Sequence, residues 1–143
     1  MRFFPTSMTF PAIRGAVYFA AAFVALSTAP RTFAQASPQV KRTVLLRHDT
    51  PAPGFEAMLV RVDLPGGARE GRHTHPGLLL IHVEEGTLTL EYEGKPTADY
   101  KPGDSIFVEP GKVHEGINKG RTPVKVIATF VIPTGATVTT QVK

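Results

Sequence analysis

The chain has 143 residues, with 16 Lys and Arg, 12 Asp and Glu, no cysteine and a formal net charge of +4 at pH 7. This length suits one domain, and the absence of cysteine excludes disulfide bonds, thiolate metal ligands and cysteine nucleophiles. Any metal ion in this protein must therefore be bound by histidine nitrogen or by oxygen.

Residues 1–36 show the three-part pattern of a secretory signal peptide. They contain three arginines and no acidic residue, and an apolar, uncharged run from 15 to 29 follows Arg14. Small residues of the A-x-A type come next and predict cleavage near 34–36. The alternative is an uncleaved anchor helix, but the apolar run is shorter than the roughly 20 residues that a membrane span needs. We therefore expect a periplasmic or secreted protein whose mature form has no membrane association.

Removal of the predicted signal peptide lowers the formal net charge of the chain. From residue 37 onward the chain has 13 basic and 12 acidic residues, so its formal charge is +1. The mature part also has no basic cluster interleaved with aromatic residues. A nearly neutral surface of this kind gives no electrostatic basis for binding nucleic acid. We expect no nucleic-acid partner.

After the leader, the sequence consists of short apolar runs separated by glycine and proline turns. Residues 37–54 are predicted to be a lead-in and a first strand, residues 55–132 carry regularly spaced strands, and residues 133–143 form a final strand or a tail. Apolar residues alternate with polar ones in "TLTLEY" (87–92), which predicts a half-buried strand. In "VKVIATFVI" (124–132) the alternation is weaker, and we expect a largely buried strand. No segment sustains a helical period, so the sequence predicts an all-β sandwich or barrel.

The strongest candidates for chemistry are three histidines. Residues i and i+2 of a strand point to the same side, so His73 and His75 are expected to share one face. A third ligand must come from elsewhere, and His114, which follows the turn "EPGK", is the best candidate. Three imidazoles suit zinc, iron, copper or nickel.

Other residues near these segments have simpler expected roles. His82 is separated from His75 by an odd number of residues, so we expect it at the surface or in a dimer interface rather than as a fourth ligand. His48 is interpreted as a loop residue. The nearby polar residues are expected to be turn formers or solvated turn flanks: Glu84, Glu85, Asp104 and Asn118. The nearby apolar residues are expected in the core: Ile81, Val83, Phe107 and Phe130.

Two segments together resemble the cupin superfamily. "HTHPG" (73–77) with "EEG" (84–86) is similar to the first cupin motif, and "PGDSIFVEPGKVHEGIN" (102–118) is similar to the second. The resemblance extends over residues 55–132, and the chain also looks like the small exported single-domain cupins. It implies a single cupin-like β-barrel (a double-stranded β-helix or jelly roll) over 55–132, a metal-binding interior and a homodimer.

The resemblance also implies a ligand set, which this sequence only partly provides. Carried over, the histidine ligands are His73, His75 and His114, and the usual glutamate falls on Leu79, or on Leu80 in a longer-spaced variant. Loss of an anionic ligand lowers metal affinity but opens coordination positions, as in catalytic zinc sites with three histidines. The implied cofactor is one divalent ion, with iron, manganese, zinc, copper and nickel all open.

The expected function is metal binding through these three histidines, with a small organic ligand in the barrel mouth. One alternative is a metal-dependent enzyme, dioxygenase-like or isomerase-like. Another is a non-catalytic structural barrel with a relic metal site. The sequence contains no Ser-His-Asp order and no phosphate-binding glycine loop, and it predicts no catalytic residue apart from a histidine-bound metal.

Overall fold

The computed structural model describes residues 38–143, where the chain forms ten β-strands and no helix. The strands are β1 (Lys41–Asp49), β2 (Phe55–Leu64), β3 (His73–Thr74), β4 (Leu78–Glu85), β5 (Leu88–Tyr92), β6 (Lys95–Tyr100), β7 (Ser105–Val108), β8 (His114–Ile117), β9 (Val124–Pro133) and β10 (Thr140–Gln141). The all-β prediction is confirmed. The predicted signal peptide lies outside the described residues.

The strands form two antiparallel five-stranded sheets. The first sheet has the order β1-β2-β9-β4-β7 and the second has the order β10-β3-β8-β5-β6. Consecutive strands therefore often lie in different sheets, and strands distant in sequence become neighbours. One such pairing places β3 beside β8 with His73 opposite His114. The topology thus brings together the two segments that carry the candidate ligands.

The two sheets share one apolar core. In β9 the buried and half-buried residues alternate along the whole strand, and β2 alternates in the same way opposite it. The sequence of 124–132 alternates only weakly, but the burial of its side chains alternates strictly. The outward residues are half-buried, which is why several of them are also apolar. The buried apolar residues of these two strands are Met58, Val60, Val62, Leu64, Val124, Val126, Ala128, Phe130 and Ile132. Full burial of one of the larger side chains among them, such as a valine, leucine or phenylalanine, stabilises the fold by roughly 1.5–3 kcal/mol.

Two glycines allow the close approach of neighbouring segments. Gly86, with φ of 77°, forms the turn between β4 and β5, and a side chain there would meet the Pro123 carbonyl oxygen at 2.7 Å. Gly77 packs directly against the backbone of β9 at Val131, where no β-carbon fits. Since Gly77 lies two residues after His75, this contact fixes the path of the chain that leaves the histidine pair.

The segments that flank the predicted barrel region also belong to the sheets. Strand β1 pairs with β2 over residues 41–49, and β10 pairs with β3 near His73. Val138, just before β10, packs against the core. Within the described part of the chain, no helix has the length and apolar character of a membrane span.

Two expectations for individual residues are wrong. His48 lies within strand β1 rather than in a loop, since it pairs with Ala57 of β2. Phe107 is 50% exposed and not part of the core, because outward and inward residues alternate along β7 and Phe107 falls on the outward face. The other three predicted core residues are buried: Ile81, Val83 and Phe130.

Candidate metal centre

The three predicted histidines converge inside the barrel. The ring centroids of His73 and His114 are 4.4 Å apart, those of His73 and His75 are 4.9 Å apart, and those of His75 and His114 are 5.0 Å apart. All three side chains are buried, and one ring nitrogen of each lies within 4.8 Å of the others. Strand β3 ends at Thr74, so the regular alternation assumed for His73 and His75 stops early, yet both rings face the same interior space.

Backbone carbonyl groups fix the orientation of every ring. Nδ1 of His73 lies 2.7 Å from the Gly71 oxygen, Nδ1 of His75 lies 2.5 Å from the Val138 oxygen, and Nδ1 of His114 lies 3.0 Å from the Lys112 oxygen. A carbonyl oxygen only accepts hydrogen bonds, so Nδ1 carries the proton in each neutral ring and Nε2 carries the lone pair. This is the arrangement of metal-binding histidines, whose second nitrogen donates to a neighbouring acceptor.

The second ring nitrogen of His114 has no hydrogen-bond partner in the described part of the chain. Its Nε2 atom is buried and makes no hydrogen bond with any of the described residues. A buried polar atom without a partner costs about 1–3 kcal/mol, and native proteins keep few such atoms. A metal ion bound by this nitrogen and the two neighbouring rings would remove that cost. The residues present therefore fit a metal ion.

Burial also keeps two of these rings neutral. It is the main cause that lowers the pKa of His75 from 6.5 to about 4, and the neighbouring histidines act in the same direction. Burial likewise lowers the pKa of His114 to about 4. Both rings are consequently unprotonated at neutral pH, and their lone pairs are available to a cation without competition from protons.

An ion pair between the buried Glu115 and the half-exposed Arg69 holds the segment that precedes His73. Both carboxylate oxygens of Glu115 accept from the Arg69 guanidinium, at 2.9 and 2.7 Å, and one also accepts from the Gly71 backbone N–H at 3.1 Å. These bonds to Arg69 keep the pKa of Glu115 below its usual 4.5. The carbonyl group of Gly71 in turn accepts from His73, so the ion pair positions that ring. Sequence reasoning missed Glu115, because nothing in the sequence pairs it with an arginine 46 positions earlier.

The histidines line one side of an interior cavity. The space open to water inside it is about 190 Å³. Its other walls are mostly apolar, and the ring of Phe130 meets that of His75 edge-on at 4.9 Å. Leu79 is buried and lines the same cavity, so the position where the resemblance places a carboxylate contributes only apolar surface.

Arg42 and Glu70 add the charged groups of this cavity. Their side chains form an ion pair at 2.6 Å and are 43% and 16% exposed, respectively. Neither residue stood out in the sequence. Arg42 is on the first strand, far in sequence from the histidine motif, and Glu70 precedes that motif as one acid among several.

The remaining candidates lie away from the cavity. His82 is exposed and its Nδ1 atom lies 3.0 Å from Ser105 Oγ, which agrees with the expectation that it faces outward. Asn118 is buried and its amide nitrogen lies 2.8 to 3.1 Å from three backbone oxygens. Asp104 accepts from the Lys101 backbone N–H in a turn. Glu84 and Glu85 are exposed, and Glu85 pairs with Lys125.

The two-sheet barrel resembles many solved structures. One is a conserved protein with a double-stranded β-helix domain from Klebsiella pneumoniae, 22% identical, with a TM-score of 0.59 over 76% of this chain and 86% of that one. A cupin-like protein from Thermotoga maritima is 23% identical, with a TM-score of 0.59 over 74% of this chain and 77% of the other. A DMSP lyase from Ruegeria pomeroyi is 21% identical, with a TM-score of 0.57 over 71% of this chain and 51% of the lyase.

The fold is a small double-stranded β-helix barrel, and the three histidines inside it form a candidate metal site. The family model described as "Cupin domain" matches residues 60–130, and the chain belongs to the cupin superfamily. No protein with a curated description is significantly similar to it in sequence.

Proposed function

We propose that this protein binds one divalent metal ion through Nε2 of His73, His75 and His114 and holds a small organic molecule in the adjoining cavity. The observation that carries the proposal is the buried Nε2 of His114, which has no partner among the described residues and lies beside the rings of His73 and His75. In each ring the second nitrogen is bonded to a carbonyl oxygen. The cluster therefore has three lone pairs, and the described residues supply no hydrogen-bond donor for them.

The donor set suits several metals. Imidazole nitrogen binds zinc, copper, iron and nickel well, whereas manganese prefers oxygen donors. Three protein ligands leave at least one coordination position for water or for an oxygen of the organic molecule. A bound ion would supply Lewis acidity to a carbonyl or hydroxyl group there.

The cavity limits the molecule that it admits. Its walls are mostly apolar and its volume is about 190 Å³, which indicates a small compound with a largely hydrocarbon frame. Sites of this kind gain affinity from apolar contact and orientation from a few polar groups. Here those polar groups are the three histidines, the Arg42–Glu70 pair and Thr139.

Metal content tests the proposal. The mature protein would be purified without chelator and its metal measured by elemental analysis, together with that of His75→Ala. We expect up to one equivalent of a divalent ion in the wild-type protein and almost none in the variant. His82→Ala is the matched control, because His82 is exposed on the outside of the barrel, and it should retain the wild-type content. Full metal content in His75→Ala would contradict the proposal.

We propose that residues 1–36 direct export and that the mature protein is periplasmic or secreted. The basic start, the apolar run and the small residues near 34–36 support this. Expression of the full chain followed by cell fractionation and N-terminal sequencing tests it. The expected mature start lies just after residue 34 or 36, whereas an intact N-terminus in the cytoplasm would contradict it.

We propose a homodimer that uses strand β1. This strand is at the edge of the first sheet, and Val44, Leu45 and Leu46 are 55%, 46% and 58% exposed. An exposed apolar edge strand is a favourable surface for pairing with a second chain. Light scattering after gel filtration should give twice the monomer mass, and Leu46→Lys should shift it towards the monomer. A monomeric wild-type protein would contradict this proposal.

A further inference from the structure

The cavity contains one carboxylate, and it is not where the cupin motif would place one. Among the described residues that line the cavity, Glu70 is the only acidic residue. It lies three positions before His73, in the segment that leads into β3. Position 79, on β4, supplies a leucine instead. The carboxylate of this cavity therefore comes from position 70, and not from position 79, where the cupin motif would place a metal-binding glutamate.

The structure holds the Glu70 side chain in a defined position. Its backbone N–H donates to the Gly116 carbonyl at 3.0 Å, and its Oε1 accepts from the Arg42 guanidinium at 2.6 Å. Oε2 lies over Gly116, so close that a β-carbon at that position would clash with it. Leu88, a buried residue of the cavity wall, is next to the same point. Glycine at 116 thus makes the room that the carboxylate occupies.

One oxygen of this carboxylate is left over. Oε2 has no hydrogen-bond partner among the described residues, while Oε1 is used by Arg42. A carboxylate oxygen can only accept a hydrogen bond, so its complement on a bound molecule must be an O–H or N–H group. The Arg42–Glu70 pair has no net charge, and the cavity therefore offers no free cation for a second anionic group.

Glu70 also does not belong to the metal cluster. The group whose ligand atoms lie within 4.8 Å of one another contains the three histidines and no carboxylate. Besides Arg42 and Thr139, the cavity therefore has two separate polar groups, the candidate metal site and the Glu70 carboxylate, in a lining that is otherwise mostly apolar.

We infer that Glu70 is the ligand-recognising residue of the cavity, and that the molecule bound there is small, apolar in its frame, and carries a metal-binding oxygen group and a separate hydroxyl or amine that donates to Glu70 Oε2. This inference rests on the proposed metal site. It selects hydroxy- or amino-substituted compounds with one metal-binding end and disfavours dicarboxylates, whose second anionic group would face Glu70.

The test uses the protein loaded with Co²⁺ and two series of probes. The first series is straight-chain alkyl hydroxamates, which chelate a metal through two oxygens, in three chain lengths. The second is the same hydroxamates with a hydroxyl at the far end. Dissociation constants come from the visible absorption of cobalt. For one chain length, the hydroxyl compound should bind the wild-type protein at least as tightly as the plain compound, although a hydroxyl normally weakens binding in an apolar pocket.

Glu70→Gln should reduce that preference for the hydroxyl compound about tenfold, because the acceptor loses its charge. Binding of the plain hydroxamates and of Co²⁺ itself should stay unchanged. Glu70→Asp keeps the charge on a shorter side chain and should move the preference to a longer probe. Glu84→Gln is the matched control, since Glu84 is exposed and lies outside the cavity, and it should behave like wild type.

The outcomes separate this inference from the proposal on which it rests. An unchanged hydroxyl preference in Glu70→Gln, with Co²⁺ bound normally, overturns the role of Glu70 and leaves the metal site intact. A large loss of Co²⁺ affinity in Glu70→Gln would instead make Glu70 a metal ligand, which also overturns the inference. Failure of the wild-type protein to bind Co²⁺ overturns both.

Discussion

Two buried polar clusters lie in the same small barrel, and they differ in how completely their hydrogen bonds are satisfied. Around Asn118, the amide nitrogen faces three backbone oxygens and the amide oxygen accepts from the Gly120 N–H at 2.9 Å. In the histidine cluster, each Nδ1 has a carbonyl partner, but Nε2 of His114 is buried without a partner among residues 38–143. The first cluster is complete within the protein and connects loops. The second would be completed by the cation that we propose.

The difference has an energetic meaning. A satisfied buried amide contributes to stability, whereas an unsatisfied buried nitrogen costs about 1–3 kcal/mol until something binds it. Mutations in the two clusters should therefore have opposite signatures. Those around Asn118 should affect unfolding and spare metal binding, and those among the histidines should do the reverse.

The largest expected effect is on metal affinity. His114→Ala removes one of three nitrogen ligands and should weaken zinc binding about a hundredfold or more, since zinc sites in proteins need at least three protein ligands. Competition with a chelator of known affinity gives the constant. Stability of the metal-free variant should change less than in the Asn118 variant described next. Zinc affinity within a few-fold of wild type would show that His114 is not a ligand.

Next in size is the stability effect of Asn118→Ala. Several hydrogen bonds disappear and backbone carbonyls are left buried without a donor, so the free energy of unfolding should fall by about 2–3 kcal/mol. Urea denaturation of the metal-free protein measures this. Zinc affinity should remain within about threefold of wild type, because the histidine orientations depend on other carbonyl groups. An Asn118→Ala protein that is as stable as wild type but does not bind zinc would contradict the division of roles between the two clusters.

The pH dependence of the metal-free protein distinguishes the clusters in another way. Histidines of the unfolded chain take up protons below about pH 6.5, whereas His75 and His114 do so only near pH 4, because burial lowers their pKa. Between these values the unfolded state binds more protons, so stability falls as the pH falls, by on the order of 2 kcal/mol for each ring. Urea titrations between pH 4 and 8 with chelator present measure it.

Carboxylates extend the decline at lower pH. Arg47 and Arg69 hold the pKa values of Glu56 and Glu115 below the usual 4.5, so that their contribution is lost only as the pH falls below that value. The window above pH 4.5 therefore reports on the histidines. A double replacement of His75 and His114 by glutamine should flatten the profile there, and an unchanged slope would contradict the assignment.

The smallest expected effect comes from restoring the carboxylate at position 79. Leu79→Glu adds an anionic oxygen to the cavity and should raise zinc affinity about tenfold, because the site then has one charge fewer to compensate. Leu79→Gln is the matched control of similar size without charge. The metal-free Leu79→Glu protein should be less stable than wild type, since a buried carboxylate is desolvated. Equal zinc affinity in both variants would mean that the leucine faces another part of the cavity.

Much of the fold could be predicted from the sequence, because two-residue alternation and glycine turns are local signals. They identified the strands of 87–92 and 124–132, and the outward direction of His82. The convergence of His73, His75 and His114 was expected from the resemblance to cupins, while residue spacing alone linked only the first two.

The missed features depend on contacts between distant segments. Glu115 meets Arg69 across strands, and Glu70 meets Arg42 of the first strand, neither of which any local pattern encodes. His48 and Phe107 were assigned wrongly for a related reason. Strand β1 continues through His48 to Asp49, although the residues that follow have the sequence of a turn. The face on which Phe107 lies depends on the register of β7 with β4.

X-ray absorption at the metal edge of the zinc-loaded protein addresses the convergence of three imidazoles on one ion most directly. The spectrum should fit three imidazole nitrogens at about 2.0–2.1 Å plus one or two oxygen ligands, with the multiple scattering that imidazole rings produce. A shell of oxygen atoms alone, or a fit that needs no more than one imidazole, would contradict the account.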